Sequence, residues 1–203
     1  MKRNGIRAAT ILTSAVPFAA SAHTGHDTYG FFVGFSHPLT GADHMMAMLA
    51  IGMWAMSLNA CGSKNATRAI PTMFLVAMAS GALAAMSGLV VPFVEVVSFI
   101  ETGIAVSVLL LGMLLVGGTR LPLSVTLPAT ACFAVFHGMA HGAELPLSAH
   151  AVGYTLGFLF ATTLLIAAGG ALNAYARRHS NARIALPVSG GVFALAGLYQ
   201  LMG

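Results

Sequence analysis

Polar side chains are sparse and bunched along this chain, and the apolar stretches between them run about 20 residues, the length an α-helix needs to cross a bilayer. Six such runs follow the amino-terminal segment, at residues 30–58, 69–89, 94–116, 121–139, 149–174 and 186–202. The pattern predicts an all-α membrane protein with six transmembrane helices. Some of the runs are interrupted. His37-Pro38 and Gly41 break the first, Pro128 is expected to kink the fourth, and Gly138 with Gly142 to loosen its far end. Broken helices at membrane depth need partners for the freed backbone groups, so they normally border a protein-lined or wet cavity. Phe35-Ser36-His37 in the first three-helix half and Phe136-His137 in the second suggest two inverted halves.

The segment ahead of these runs has the form of an address. Lys2, Arg3 and Arg7 precede a short apolar stretch at residues 8–20, and Ala20-Ser21-Ala22 is a small-x-small cleavage site. Residues 1–22 are therefore expected to be a signal peptide. The mature chain, 23–203, is then a single polytopic domain that begins at His23 outside the cytoplasm.

Composition supports a lipid solvent: 58% of the 203 residues are hydrophobic and 7% charged, too little polarity to solvate the surface of a soluble domain this size. The placement of charge orients the spans. After the signal, the basic residues are Lys64, Arg68, Arg120, Arg177, Arg178 and Arg183, and all six fall in the three connections predicted to be cytoplasmic. Asp27, Glu95 and Glu144 fall on the opposite side or its rim, while Asp43 and Glu101 lie within spans. Short, separated basic loops argue against a nucleic-acid partner. Cys61, in a polar loop, and Cys132, in an apolar run, give no reason to expect a disulfide.

The candidate chemistry lies in two motifs. In HPLTGADH, His37 to His44, an ionised Asp43 at membrane depth costs about 3 kcal/mol unless partnered. On a helix beginning near Gly41, Asp43 and His44 project on adjacent faces, and the Pro38 break can swing His37 back toward them. In FHGMAHGAE, His137 and His141 are four apart, with Glu144 three further on, so three donors can share a face. Imidazole with carboxylate suits nickel, cobalt or zinc, whereas magnesium or calcium would take mainly oxygen. Glu101, a lone acid among apolar neighbours, is expected to pair with one of these histidines. At the mature amino terminus the free amine, His23, His26 and Asp27 could collect metal. The plainer readings are a solvated tail there, structural hydrogen bonding by His150, solvation of His179, and packing by Met45, Met46 and Met48. The Gly30/Gly34, Gly81/Ala85 and Gly153/Gly157 spacings read as helix contacts.

With these motifs the whole chain resembles the HupE/UreJ family of nickel/cobalt permeases, often encoded beside hydrogenase or urease genes in bacteria. The resemblance rests on the signal sequence followed by a histidine, on HPLTGADH followed by MLAIGMWA, and on FHGMAHGAE, in that order. It implies a multi-pass protein of the bacterial inner membrane that imports Ni2+ or Co2+, with Zn2+ as a surrogate, and holds no permanent cofactor. It also implies that His37, Asp43 and His44 recognise the metal, with His137, His141 and Glu144 as partners. On this reading the tail captures the ion, the helical histidines pass it inward, and Glu101 balances charge. A homo-oligomer is left open. Two other classes remain alongside it: an intramembrane zinc hydrolase, and a metal sensor or assembly partner that moves no ion.

Overall fold

The computed structural model describes residues 26–89, 94–118, 120–145, 150–179 and 182–202. The expected signal peptide and His23 lie outside the described residues, and of His26 and Asp27 only the backbone is described. The regular elements among the described residues are seven α-helices: α1 His26–Thr40, α2 Ala42–Ala60, α3 Ala66–Met86, α4 Val94–Gly117, α5 Leu123–Ala143, α6 Ala151–Arg178 and α7 Ala182–Met202. Five of them, α3 to α7, are long and apolar enough to cross a membrane. The chain is a helical, multi-pass membrane protein.

The first expected span is divided in two. Pro38 has no N–H to give the carbonyl four residues back, and α1 stops two residues later at Thr40. Gly41 is extended (φ −89°, ψ 113°) and its carbonyl accepts the Met45 N–H at 3.0 Å, which restarts the helix as α2. The broken pair still follows one partner. Gly30 and Gly34 sit against His150 and Tyr154 at the start of α6, Leu49 meets Gly169, and Asn173 donates to the Met53 carbonyl and to Ser57 Oγ. α1 and α2 therefore run in the same direction as the 28-residue α6.

Two further close pairs complete the bundle. α3 and α5 run parallel, with Gly138 against Met78 and Ala82; a Cβ on Gly138 would fall 2.0 Å from the Met78 carbonyl oxygen. So the glycines expected to loosen the end of the fourth span instead let α3 approach, and α5 continues unbroken to Ala143. α4 and α7 are antiparallel, Gly190 lying against Gly112 and Gly197 against Ala105 and Leu109. Within α3, α5 and α7, each of 21 residues, Pro71, Pro128 and Pro187 are all the sixth residue and Gly81, Gly138 and Gly197 all the sixteenth. A proline so near the start sacrifices few helical hydrogen bonds. These three helices are the repeat visible in the chain. Phe35-His37 and Phe136-His137 lie at the same end of the bundle, so they are not the equivalent positions of an inverted pair. Exchanging the halves does interchange the three principal packings, and the packing scheme is compatible with inversion on that ground alone.

The bundle's two ends differ in chemistry. Lys64 between α2 and α3, Arg68 in the first turn of α3, Arg120 before α5, and Arg177, Arg178 and Arg183 around the α6–α7 connection share one end. Arg120, Arg177 and Arg183 line a single cavity there of about 310 Å3. That connection is shorter than expected because α6 extends to Arg178 and α7 starts at Ala182. Arg177 Nε donates to Asn173 Oδ1 at 2.8 Å, and Asn173 is fully buried and bonded to α2, which anchors the added turns. The histidine motifs occupy the other end.

Candidate metal centre

The break at Gly41 shapes the site. Seven residues along a straight helix advance about 10 Å. With the chain broken between them, the His37 and His44 rings lie 6.3 Å apart, centre to centre. Asp43, in the first turn of α2, turns its carboxylate back on the helix start: Oδ1 accepts the His44 backbone N–H at 2.8 Å and His44 Nδ1 at 2.9 Å. A carboxylate there is an acceptor, so the neutral ring carries its proton on Nδ1 and leaves a lone pair on Nε2. α5 repeats this arrangement with other atoms. His137 Nδ1 donates to the Phe133 carbonyl at 2.9 Å, leaving its Nε2 as the lone-pair nitrogen.

These rings converge with His141 at the centre. Its ring centre lies 4.9 Å from that of His37 and 4.7 Å from that of His44, and His44 is 5.1 Å from His137. His137 and His141 have no exposed surface and His44 only 8%. His44 Nε2, His137 Nε2 and both nitrogens of His141 are buried without a hydrogen-bond partner among the described residues. An unmet buried polar group costs about 1–3 kcal/mol, and native proteins rarely leave one, let alone four together. Atoms of this kind, aimed into one cluster, are what a borderline divalent metal ion binds.

A second group stands at the rim. His37 Nε2 donates to Glu144 Oε2 at 2.6 Å, and ligand atoms of His37, His141 and Glu144 lie within 4.8 Å of one another. Glu144 caps the end of α5 and its side chain is 54% exposed. The hydrogen bond from His37 is the main reason its carboxyl is held below the usual glutamate range. His141 thus belongs to both sets: a rim set with a carboxylate, and an inner set with His44 and His137 that is all imidazole.

Of the residues expected from the sequence, His37, Asp43, His44, His137, His141 and Glu144 are brought together. Glu101 is not. It is exposed on the second turn of α4 and forms no ion pair or hydrogen bond among the described residues, so the expected pairing with a histidine is absent. In the first turns of α4, residues 97, 98, 99 and 102 around it are exposed as well, so Glu101 lies on an outward face of the bundle, away from the histidines. The reading of the sequence missed the aromatic wall. Phe158 stacks on His141 at 4.8 Å with the planes 10° apart, Phe74 lies 5.9 Å from His137, and Tyr154 lies 6.1 Å from His37. Tyr154 and Phe158, one turn apart beside Gly157 on α6, were the available signal.

A family profile described as HupE / UreJ protein matches residues 11–200. The chain is 38% identical over 194 residues to Protein HupE of Rhizobium leguminosarum bv. viciae, an alignment covering 96% of each chain. No solved structure matches.

Proposed function

The chain belongs to the HupE / UreJ protein family, and from that premise and the buried histidine cluster we propose that it is a permease importing nickel or cobalt ions across the bacterial inner membrane. The family is associated with nickel and cobalt transport for hydrogenase and urease. The observation that carries the reading is the set of four unpartnered, buried ring nitrogens on His44, His137 and His141. Positive residues favour the cytoplasmic side, so the arginine end faces the cytoplasm and the histidine end faces out, with α1 and α2 acting together as the first of six spans. The mature chain begins at His23 in this reading, and His23, His26 and Asp27 collect ions ahead of the site.

The rim set, His37, His141 and Glu144, takes up the arriving ion, because it is the partly exposed set and contains the carboxylate. His141 then shares the ion with His44 and His137. Asp43 acts through His44, fixing its tautomer and orientation as outer-shell carboxylates do at metal sites. The reaction is ligand exchange and displacement of the ion along the bundle, and no catalysis is assigned. Purified protein in liposomes tests this: nickel or cobalt entering the lumen unaided, and lost with His44→Ala at equal protein incorporation, is the expected result. Metal binding without flux would favour a sensor or assembly role.

A further inference from the structure

Three arginines gather at the end of the bundle opposite the histidines. Arg120 in the α4–α5 connection, Arg177 in the last turn of α6 and Arg183 in the first turn of α7 line one cavity of about 310 Å3 between α2, α4, α6 and α7. The preference for cations on the cytoplasmic side accounts for their end of the bundle. It does not account for three of the six sharing one cavity, where like charges repel. The chain supplies no counter-charge there, because its five acidic residues, Asp27, Asp43, Glu95, Glu101 and Glu144, all lie toward the histidine end. Arg177 donates to Asn173 Oδ1, a neutral acceptor. The side chains of Arg120 and Arg183 make no hydrogen bond or ion pair among the described residues.

The rest of the wall points to the same kind of ligand. Trp54 forms part of it, and its indole N–H is buried with no hydrogen-bond partner among the described residues. Arg183 stands at the amino-terminal end of α7, where the free amides already carry partial positive charge, so an anion there is favoured by helix and side chain together. Further into the bundle the wall is apolar, with Leu115 and Leu186 both buried. The guanidinium fork matches phosphate oxygens in geometry as well as charge. A cavity that is cationic at the membrane surface and apolar beneath it fits a phosphate group joined to a hydrocarbon chain. Basic pockets between membrane helices on the cytoplasmic side take head groups of this kind.

We propose that Arg120, Arg177 and Arg183, with Trp54, form a binding site for a phosphate group, carried by the head group of an anionic membrane lipid or free in the cytoplasm. The apolar wall favours the lipid. The bound group bridges the α4–α5 and α6–α7 connections and ties them together at the end opposite the metal centre. Binding is ionic and hydrogen-bonded, with no covalent step. It does not depend on what the histidines hold, so it is tested apart from the permease reading.

The test follows the thermal loss of helical circular dichroism in detergent-purified protein with phosphatidylglycerol, phosphatidylcholine or inorganic phosphate added. Phosphatidylglycerol at about a hundred times its dissociation constant should raise Tm by about 5–10 °C. Phosphatidylcholine, whose phosphate is already paired with its own cation, should not. Arg120→Gln/Arg183→Gln should lose the rise. Lys64→Gln/Arg178→Gln, which removes two charges from the same end but none that lines the cavity, should keep it. A rise with inorganic phosphate alone, showing the same arginine dependence, would support the site and assign it to a free anion. No rise with either phosphatidylglycerol or phosphate, an equal rise with phosphatidylcholine, a rise that survives in the Arg120/Arg183 pair, or its loss in the Lys64/Arg178 pair would each overturn the site. If the Arg120/Arg183 pair does not fold, Arg120→Gln and Arg183→Gln are judged singly by the same criteria.

Discussion

His141 offers the sharpest test of whether the cluster is a metal site or a packing feature, because the two roles predict opposite signs of stability change. Replacing it with leucine fills much of the same volume. The change forfeits the stack on Phe158, worth about 0.5–1.5 kcal/mol beyond buried area. It also removes two buried nitrogens that have no partner, each costing about 1–3 kcal/mol. Metal-free His141→Leu should therefore be as stable as wild type or more so. With metal the order reverses. An ion at about a hundred times its dissociation constant stabilises the wild type by about 2.7 kcal/mol. For a chain of this size that is a rise of about 5–10 °C in Tm. His141→Leu should lose most of it, having lost the ring common to both ligand sets. The chain's single tryptophan, Trp54, is 1% exposed, so its fluorescence reports unfolding of detergent-purified protein with and without nickel. A variant that melts well below wild type without metal yet keeps the nickel-dependent rise would refute the reasoning, since His141 would then be a structural ring.

The remaining predictions follow from neighbouring contacts. Asp43→Asn keeps an oxygen near His44 but removes the charge that orients it, and should weaken nickel binding by about 10–100-fold in a direct titration. Gly138→Ala drives a methyl group into the Met78 carbonyl, which should cost about 1–3 kcal/mol of stability and weaken metal binding through the displaced His137 and His141. Gly191→Ala, with nothing within 4 Å of its added carbon, is the neutral control in the same melting assay. Glu144 has its carboxyl lowered by the His37 hydrogen bond, so its ionised, paired form is complete above the ordinary glutamate range, persists below it, and is lost only as pH falls through the lowered value. Glu144→Gln should accordingly weaken uptake at neutral pH, with the difference from wild type closing only as pH falls through that lowered value; uptake equal to wild type at neutral pH would remove Glu144 from the rim set.

Much of the site was legible because the chemistry was anomalous in its setting. Histidine and aspartate within apolar runs carry a cost that demands a partner, and HPLTGADH and FHGMAHGAE concentrate that cost. The i, i+4 spacing placed His137 and His141 together, and Pro38 with Gly41 marked the break that returns His37 to His44. Glu101 shows where this logic fails. Cost argues that a partner is needed without saying which one, and a run of apolar letters does not distinguish a helix position that faces the bundle from one that faces away. Helix pairing was illegible for a related reason. In a chain apolar on all faces, the contacts are set by where backbones can approach, at Gly52 against Ile166 or Gly157 against Phe31. Hydropathy does not encode that. The recurring proline and glycine of α3, α5 and α7 do, and they were readable as a common spacing.

The order of ligand types along the bundle gives the permease reading its direction. At the rim the ion meets a carboxylate and two imidazoles, and then His44, His137 and His141. That step removes the negative charge, so the stronger hold lies where ions are dilute and the weaker one nearer to release. Asp43 keeps the inner set from being too unfavourable: its carboxylate is bonded to His44 rather than turned into the cluster, so it attracts the cation without adding a bond that must later be broken. This predicts that moving a carboxylate into the inner set, as in His137→Asp, should tighten nickel binding at equilibrium while slowing flux. A faster variant would show that capture, and not release, limits the cycle.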